Sequence, residues 1–119
     1  MNYKKRRGSM LVKLFSPPMH PSMERDVMKL VPAFGVYVLA GMIREHGHDV
    51  EVYDHQILLG AYEEDWDEEC IKEIIEDADV VGISSNTFSW GIAKELIEVM
   101  KSVEHPPYIV CGGCSTDFL

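Results

Sequence analysis

The hydrophobic pattern along the chain alternates between short apolar runs and longer amphipathic segments. The short runs are rich in β-branched and aromatic residues and are bounded by turn residues, which is typical of strands. The longer segments repeat apolar residues at helical spacing. The predicted strands are "MLVKLF" (10–15), "DVEVYD" (49–54), "DVVGIS" (79–84) and "PYIVCGG" (107–113). The predicted helices cover 31–47, 62–78 and 89–103, and Gly47 is expected to cap the first of them.

The order β-α-β-α-β-α-β predicts an α/β fold with a doubly wound parallel sheet, flavodoxin-like, with right-handed crossovers. The third strand is almost entirely apolar, as expected where helices cover both faces of a sheet. Lys13 interrupts the first strand, and the pattern gives no reason for it. The common version of this fold has a fifth strand. We therefore expect residues 10–119 to be a domain of a longer protein, truncated after the fourth strand.

Charge and composition narrow the class of protein. The net charge is −9, and a chain this acidic repels phosphate backbones, so nucleic-acid binding is not expected. The basic run "KKRR" (4–7) lies in residues 1–9, which we interpret as a disordered tail or an expression remnant. The longest apolar run, 31–43, is shorter than the roughly 18 residues of a membrane helix. Three cysteines are too few for a disulfide framework. These features predict a cytoplasmic protein that does not enter a membrane.

Ligands of such sheets bind beyond the carboxyl ends of the strands. Three loops reach that edge: "SPPMHPS" (16–22), "SSNT" (84–87) and "GGCST" (112–116). The first loop lacks the glycines of a dinucleotide fingerprint, and the chain has no P-loop motif. The residues alone leave open whether 84–87 contact a ligand or only cap the third helix, and whether Gly112 and Gly113 form an ordinary turn.

Two cysteines, Cys111 and Cys114, form a C-x-x-C motif that a thiol redox protein could use. Such a motif acts at a helix N-terminus early in its fold, whereas this one ends the fourth strand. The redox function remains an alternative, as does a non-cofactor interaction module of the same fold.

Three stretches, 32–54, 79–102 and 108–113, resemble in order and spacing the cobalamin-binding domain found at the N-terminus of many radical S-adenosylmethionine enzymes. The resemblance covers nearly all of residues 10–113. It implies a flavodoxin-like domain that holds cobalamin over the carboxyl edge of the sheet. The iron–sulfur cluster and S-adenosylmethionine are expected only in a separate catalytic domain of the same full-length chain, because their cysteine motif is absent here.

The resemblance also assigns cofactor-binding residues. It gives polar contacts to the loop after the third strand and a close approach of the nucleotide tail to two glycines. These residues are Ser84, Ser85, Asn86, Thr87, Gly112 and Gly113. No catalytic residue and no protein ligand to the cobalt are expected.

The resulting prediction is a non-catalytic cofactor-binding module of a radical enzyme of the methyltransferase or oxidative-cyclase type. A fourth strand at the edge of the sheet also predicts a homodimer formed through that strand.

Overall fold

The computed structural model describes residues 8–17, 34–54, 68–85 and 90–113. Within them, strands and helices alternate in the predicted order. The elements are β1 (Leu11–Ser16), α1 (Phe34–Glu45), β2 (Asp49–Asp54), α2 (Glu68–Ile75), β3 (Val80–Ser84), α3 (Trp90–Lys101) and β4 (Tyr108–Gly112).

The four strands form one parallel sheet in the order β2-β1-β3-β4. The chain starts in the middle, adds β2 on one side, and then crosses back to add β3 and β4 on the other. This is the strand order of a flavodoxin-like sheet, and it confirms the predicted fold class. The carboxyl ends of β1 and β3, where the winding direction reverses, lie side by side at one edge.

The helix boundaries agree with the pattern where the structure describes them. The predicted starts at 31–33, 62–67 and 89 lie outside the described residues. Gly47 has a φ of 88°, and its amide donates to the Arg44 carbonyl at 2.9 Å, which confirms the predicted C-cap. Helix α2 ends at Ile75 and continues as a turn rather than as helix to 78. None of the helices that the structure describes is long and apolar enough to cross a membrane.

The sheet separates two apolar clusters, because successive strand residues point to opposite faces. Helix α1 packs on one face against Val12, Leu14 and Val50. Helices α2 and α3 pack on the other face against Phe15, Val81 and Ile83, among others. All six residues of β1 are buried, as expected for a central strand covered on both faces.

The structure explains Lys13. Its side chain is only 6% exposed and points to the α2 side, where Nζ donates to the Ile74 carbonyl at 2.6 Å. The same ammonium lies 2.6 Å from Oδ1 of Asp77 and 3.4 Å from Oε1 of Glu51. The Ile74 carbonyl belongs to the last turn of α2, where carbonyls have no partner within the helix and a cation is favoured. Lys13 therefore ties the end of α2 to the central strand.

This contact predicts that Lys13→Met destabilises the domain by about 1–2 kcal/mol, because a partly buried helix-end carbonyl loses its donor while the volume is roughly kept. Lys72→Met is the matched control. Its ammonium lies 3.9 and 4.0 Å from Glu68 and Glu69, which are largely exposed, so its effect should stay within about 0.5 kcal/mol. Urea unfolding followed by circular dichroism measures both, and equal stabilities of the two variants would contradict this role of Lys13.

Candidate functional site

Small and polar residues form a row across the carboxyl edge of the sheet. Ser16 is level with Asp54 in the β1–β2 pair, and Ser84 is level with Gly112 in the β3–β4 pair. Phe15 is level with Ile83, so β1 and β3 end together. Ser16, Ser84 and Gly112 therefore lie at the same height along the sheet. We call Asp54, Ser16, Ser84 and Gly112 the rim.

A second row lies two residues before the rim on the same face, because side chains alternate along each strand. It consists of Leu14, Gly82 and Val110, which are level with one another in the register of β1, β3 and β4. We call these three residues the floor. The Leu14 side chain packs closely over Gly82, because a Cβ built on Gly82 would lie only 2.7 Å from Leu14 Cδ2.

A cavity of about 210 Å³ lies over this floor. Helix α1 forms its wall through Gly35, Val36 and Leu39, and its upper margin includes Ser84, Gly112 and Gly113. The apolar floor under a polar rim at a strand switch point is the common composition of a small-molecule site.

Two glycines of the lining leave open space where a side chain would be. A Cβ built on Gly35 or Gly112 would meet no heavy atom within 4 Å. Because Gly112 shares the face of Val110, its side chain would project into the cavity. The two glycines thus keep volume free for something other than protein.

Gly113 has a structural duty. Its φ is 122°, and a Cβ there would overlap the carbonyl oxygen of Ser85 and lie 2.8 Å from the carbonyl carbon. Only glycine tolerates both the conformation and the contact. The end of β4 therefore packs directly against the backbone that follows β3.

The structure brings together three of the six residues assigned from the sequence. Ser84, Gly112 and Gly113 line the cavity. Ser85 is buried, at 5% exposure. Its amide donates to the Gly112 carbonyl at 2.9 Å, so Ser85 helps to hold β3 and β4 together. Asn86 and Thr87 lie outside the described residues.

Sequence reasoning missed the floor and the helical wall. A glycine inside an apolar strand often marks a close approach of a ligand or of another group, and Gly82 in "DVVGIS" carried that signal. Gly35, Val36 and Leu39 gave none, because their pattern is that of any helix packed on a sheet.

The end of the rim at β2 is more polar than the end at β4. The Asp54 side chain is 1% exposed, and Tyr37 of α1 donates a hydrogen bond to it. Burial, and then the charge of Asp54 and this hydrogen bond, raise the pKa of the Tyr37 hydroxyl. The phenol therefore remains a proton donor to the carboxylate at neutral pH.

Two of the larger grooves among the described residues lie elsewhere. One, of about 420 Å³ between α2 and α3, is lined by Glu68, Glu95 and Glu98, whose charges disfavour an anionic ligand. The other, of about 570 Å³, lies along α1 and β2 and does not include the switch point between β1 and β3. The smaller cavity is the candidate site because of its position and its lining.

The geometry does not support the alternative of a thiol redox protein. Cys111 is exposed on β4, and desolvation by the protein around it raises the pKa of its thiol. A raised pKa lowers the thiolate fraction that redox chemistry requires. Cys114 lies outside the described residues.

Comparison with known proteins identifies the class. The family model of the B12 binding domain matches residues 26–118, a range that contains most of the cavity lining. The chain belongs to the B12-binding domain family, as the resemblance in its sequence predicts.

A curated relative is an uncharacterized methyltransferase, PH0819, from Pyrococcus horikoshii. The chain is 31% identical to it over 111 residues, which are 92% of this chain and 23% of that protein. The chain thus spans about a quarter of the relative's length. No solved structure matches the chain.

The residues present fit this cofactor class. Cobalamin carries an aromatic base on a nucleotide tail, together with a phosphate and many amide groups. The floor and the α1 wall offer apolar surface to the base, and Gly35 and Gly112 leave the room that a side chain would take. Ser84, at the rim and exposed, offers a hydroxyl to the polar groups.

Proposed function

We propose that this domain binds cobalamin at the carboxyl edge of the sheet, with the nucleotide tail in the cavity between α1 and the floor. The observation that carries the proposal is the apolar cavity lined by Gly35, Gly82 and Gly112, placed where an open α/β sheet binds its ligands. When bound, cobalamin supplies the chemistry of transferring a methyl group at its cobalt.

Within this proposal the residues divide the work of holding the cofactor. The floor and Leu39 bury the aromatic base and exclude water from it. Ser84 hydrogen-bonds polar groups of the tail. The resemblance in the sequence assigns further polar contacts to Asn86 and Thr87, which lie outside the described residues. Gly112 admits the tail close to the backbone, and Gly113 and Ser85 keep β3 and β4 in place. This proposal gives no described side chain the part of an acid, base or nucleophile.

The wider context of the proposal is a larger enzyme. The relative that shares this domain is named a methyltransferase and is about four times as long as the match, which supports a methyl-transfer role next to a separate catalytic domain. The resemblance in the sequence supports a radical S-adenosylmethionine domain, carrying its iron–sulfur cluster, as that partner within the same full-length chain. Oxidative cyclisation is the other reaction of that enzyme class. The low number of cysteines in the sequence, three, supports a cytoplasmic, reducing location.

Binding is tested by titrating the chain with hydroxocobalamin and following absorbance and heat. We expect saturable binding, weakened about tenfold or more in Gly112→Val, because the new side chain occupies the cavity. The strand should keep its fold, since a Cβ at this position meets no protein atom.

Gly91→Ala is the matched control. Gly91 lies on α3, its Cβ would also meet open space, and it does not line the cavity, so affinity should be unchanged. Gly113→Val is unsuitable as a binding test because it would displace the Ser85 backbone. Absence of saturable binding to the parent chain, or equal affinity of Gly112→Val, would contradict the proposal.

We also propose that β4 mediates a homodimer. In the described sheet β4 pairs only with β3, and Tyr108 is 74% exposed on it. An edge strand of this kind offers unpaired backbone groups to a second copy. We expect concentration-dependent sedimentation for the parent chain and monomers for Tyr108→Lys. A strictly monomeric profile of the parent chain at high concentration would contradict the dimer.

A further inference from the structure

The cavity is polar at its rim and apolar at its floor and wall. Among the described residues that line it, Ser84 alone has a polar side chain, and Ser84 lies at the rim. The floor and the wall present Leu14, Val36, Leu39 and Val110. A group that reaches the floor therefore leaves the only polar side chain of the described lining behind.

The backbone of the floor offers few partners either. Gly82 belongs to β3, which lies between β1 and β4 and is paired on both sides. In such a ladder the amide and carbonyl groups lie in the plane of the sheet and bond to the neighbouring strands. A ligand stacked over the floor meets carbon and hydrogen atoms rather than free donors or acceptors.

We propose that this cavity selects the base of the cofactor's nucleotide tail, accepting dimethylbenzimidazole and discriminating against adenine. The inference rests on the proposed function and adds a specificity to it. Dimethylbenzimidazole presents carbon and two methyl groups beyond the nitrogen that can face cobalt. Adenine presents an amino donor and further ring acceptors, which would lose water at the floor without finding a polar side chain among the described residues there.

The size of the effect follows from that desolvation. Leaving a buried polar group without a partner costs enough to weaken binding roughly tenfold to a hundredfold. We therefore expect the cobamide with an adenine base to bind at least about tenfold more weakly than cobalamin. Leu39, at the cavity wall and 46% exposed, is the side chain through which this preference can be altered without disturbing the core.

The test compares three ligands by equilibrium dialysis: cobalamin, the adenine cobamide, and cobinamide, which lacks the nucleotide tail. All are used as dicyano complexes, in which cyanide holds both axial positions and the base is already free of cobalt. Differences in cobalt–base bond strength then do not enter the comparison. We expect cobalamin to bind most tightly.

Three variants locate the preference. Leu39→Gln adds an amide to the wall and should narrow the gap between cobalamin and the adenine cobamide. Leu39→Met keeps the wall apolar and should preserve this difference in affinity. Met42→Gln makes a similar polar change on the same helix, at a residue that is 53% exposed and does not line the cavity, and should also preserve it.

The outcomes distinguish a failure of the base preference from a failure of cobalamin binding. Equal affinity for cobalamin and the adenine cobamide would overturn the base preference while leaving cobalamin binding intact. Cobinamide binding as tightly as cobalamin would show that the tail does not use the cavity, which overturns both the preference and the placement of the tail while leaving cobalamin binding intact. Absence of binding by all three ligands would overturn the proposed function and the inference together.

Discussion

Strand β3 lies between β1 and β4 in parallel register, and the candidate site depends on that alignment. It places Gly82 level with Leu14 and Val110, and Ser84 level with Gly112. A slip of one residue would turn these positions to the opposite face and remove both the floor and the rim. The contact of Gly113 with the Ser85 backbone fixes the register at the edge where the cavity opens, because any side chain there would push β4 away.

The two faces of the sheet serve different purposes. The face under α2 and α3 is filled, with Phe15, Val81 and Met100 fully buried, and Lys13 ties α2 to it. On the α1 face, Leu39 and Val110 remain about half exposed beside the rim. Apolar surface left uncovered next to convergent polar groups is typical of a binding site rather than of a core. A well-packed face of the sheet thus supports the face that carries the candidate site.

The order of elements and the position of the site could be read from the sequence because both follow local patterns: alternation of strand and helix, and loops after parallel strands. Ser84 and Gly112, which the resemblance assigned to the cofactor, lie in two of these loops, and both line the candidate cavity. The wall of α1 was not predicted, since which helical residues border a cavity depends on how the helix lies on the sheet. The contact of Lys13 could not be predicted for a similar reason: its acceptor, the Ile74 carbonyl, is 61 residues away along the chain. Ser85 shows the limit of a run of polar residues, because of the two members that the structure describes, Ser84 lines the cavity and Ser85 does not.

The most direct test of the account is a map of amide chemical shifts in ¹⁵N-labelled protein with and without cobalamin. The account predicts that the amides of Gly35, Gly82, Ser84 and Gly112 shift together and saturate with the same affinity, while those of Glu95 and Glu98 in the α2–α3 groove do not move. Shifts confined to the α2–α3 groove, with the floor and the rim unchanged, would contradict it.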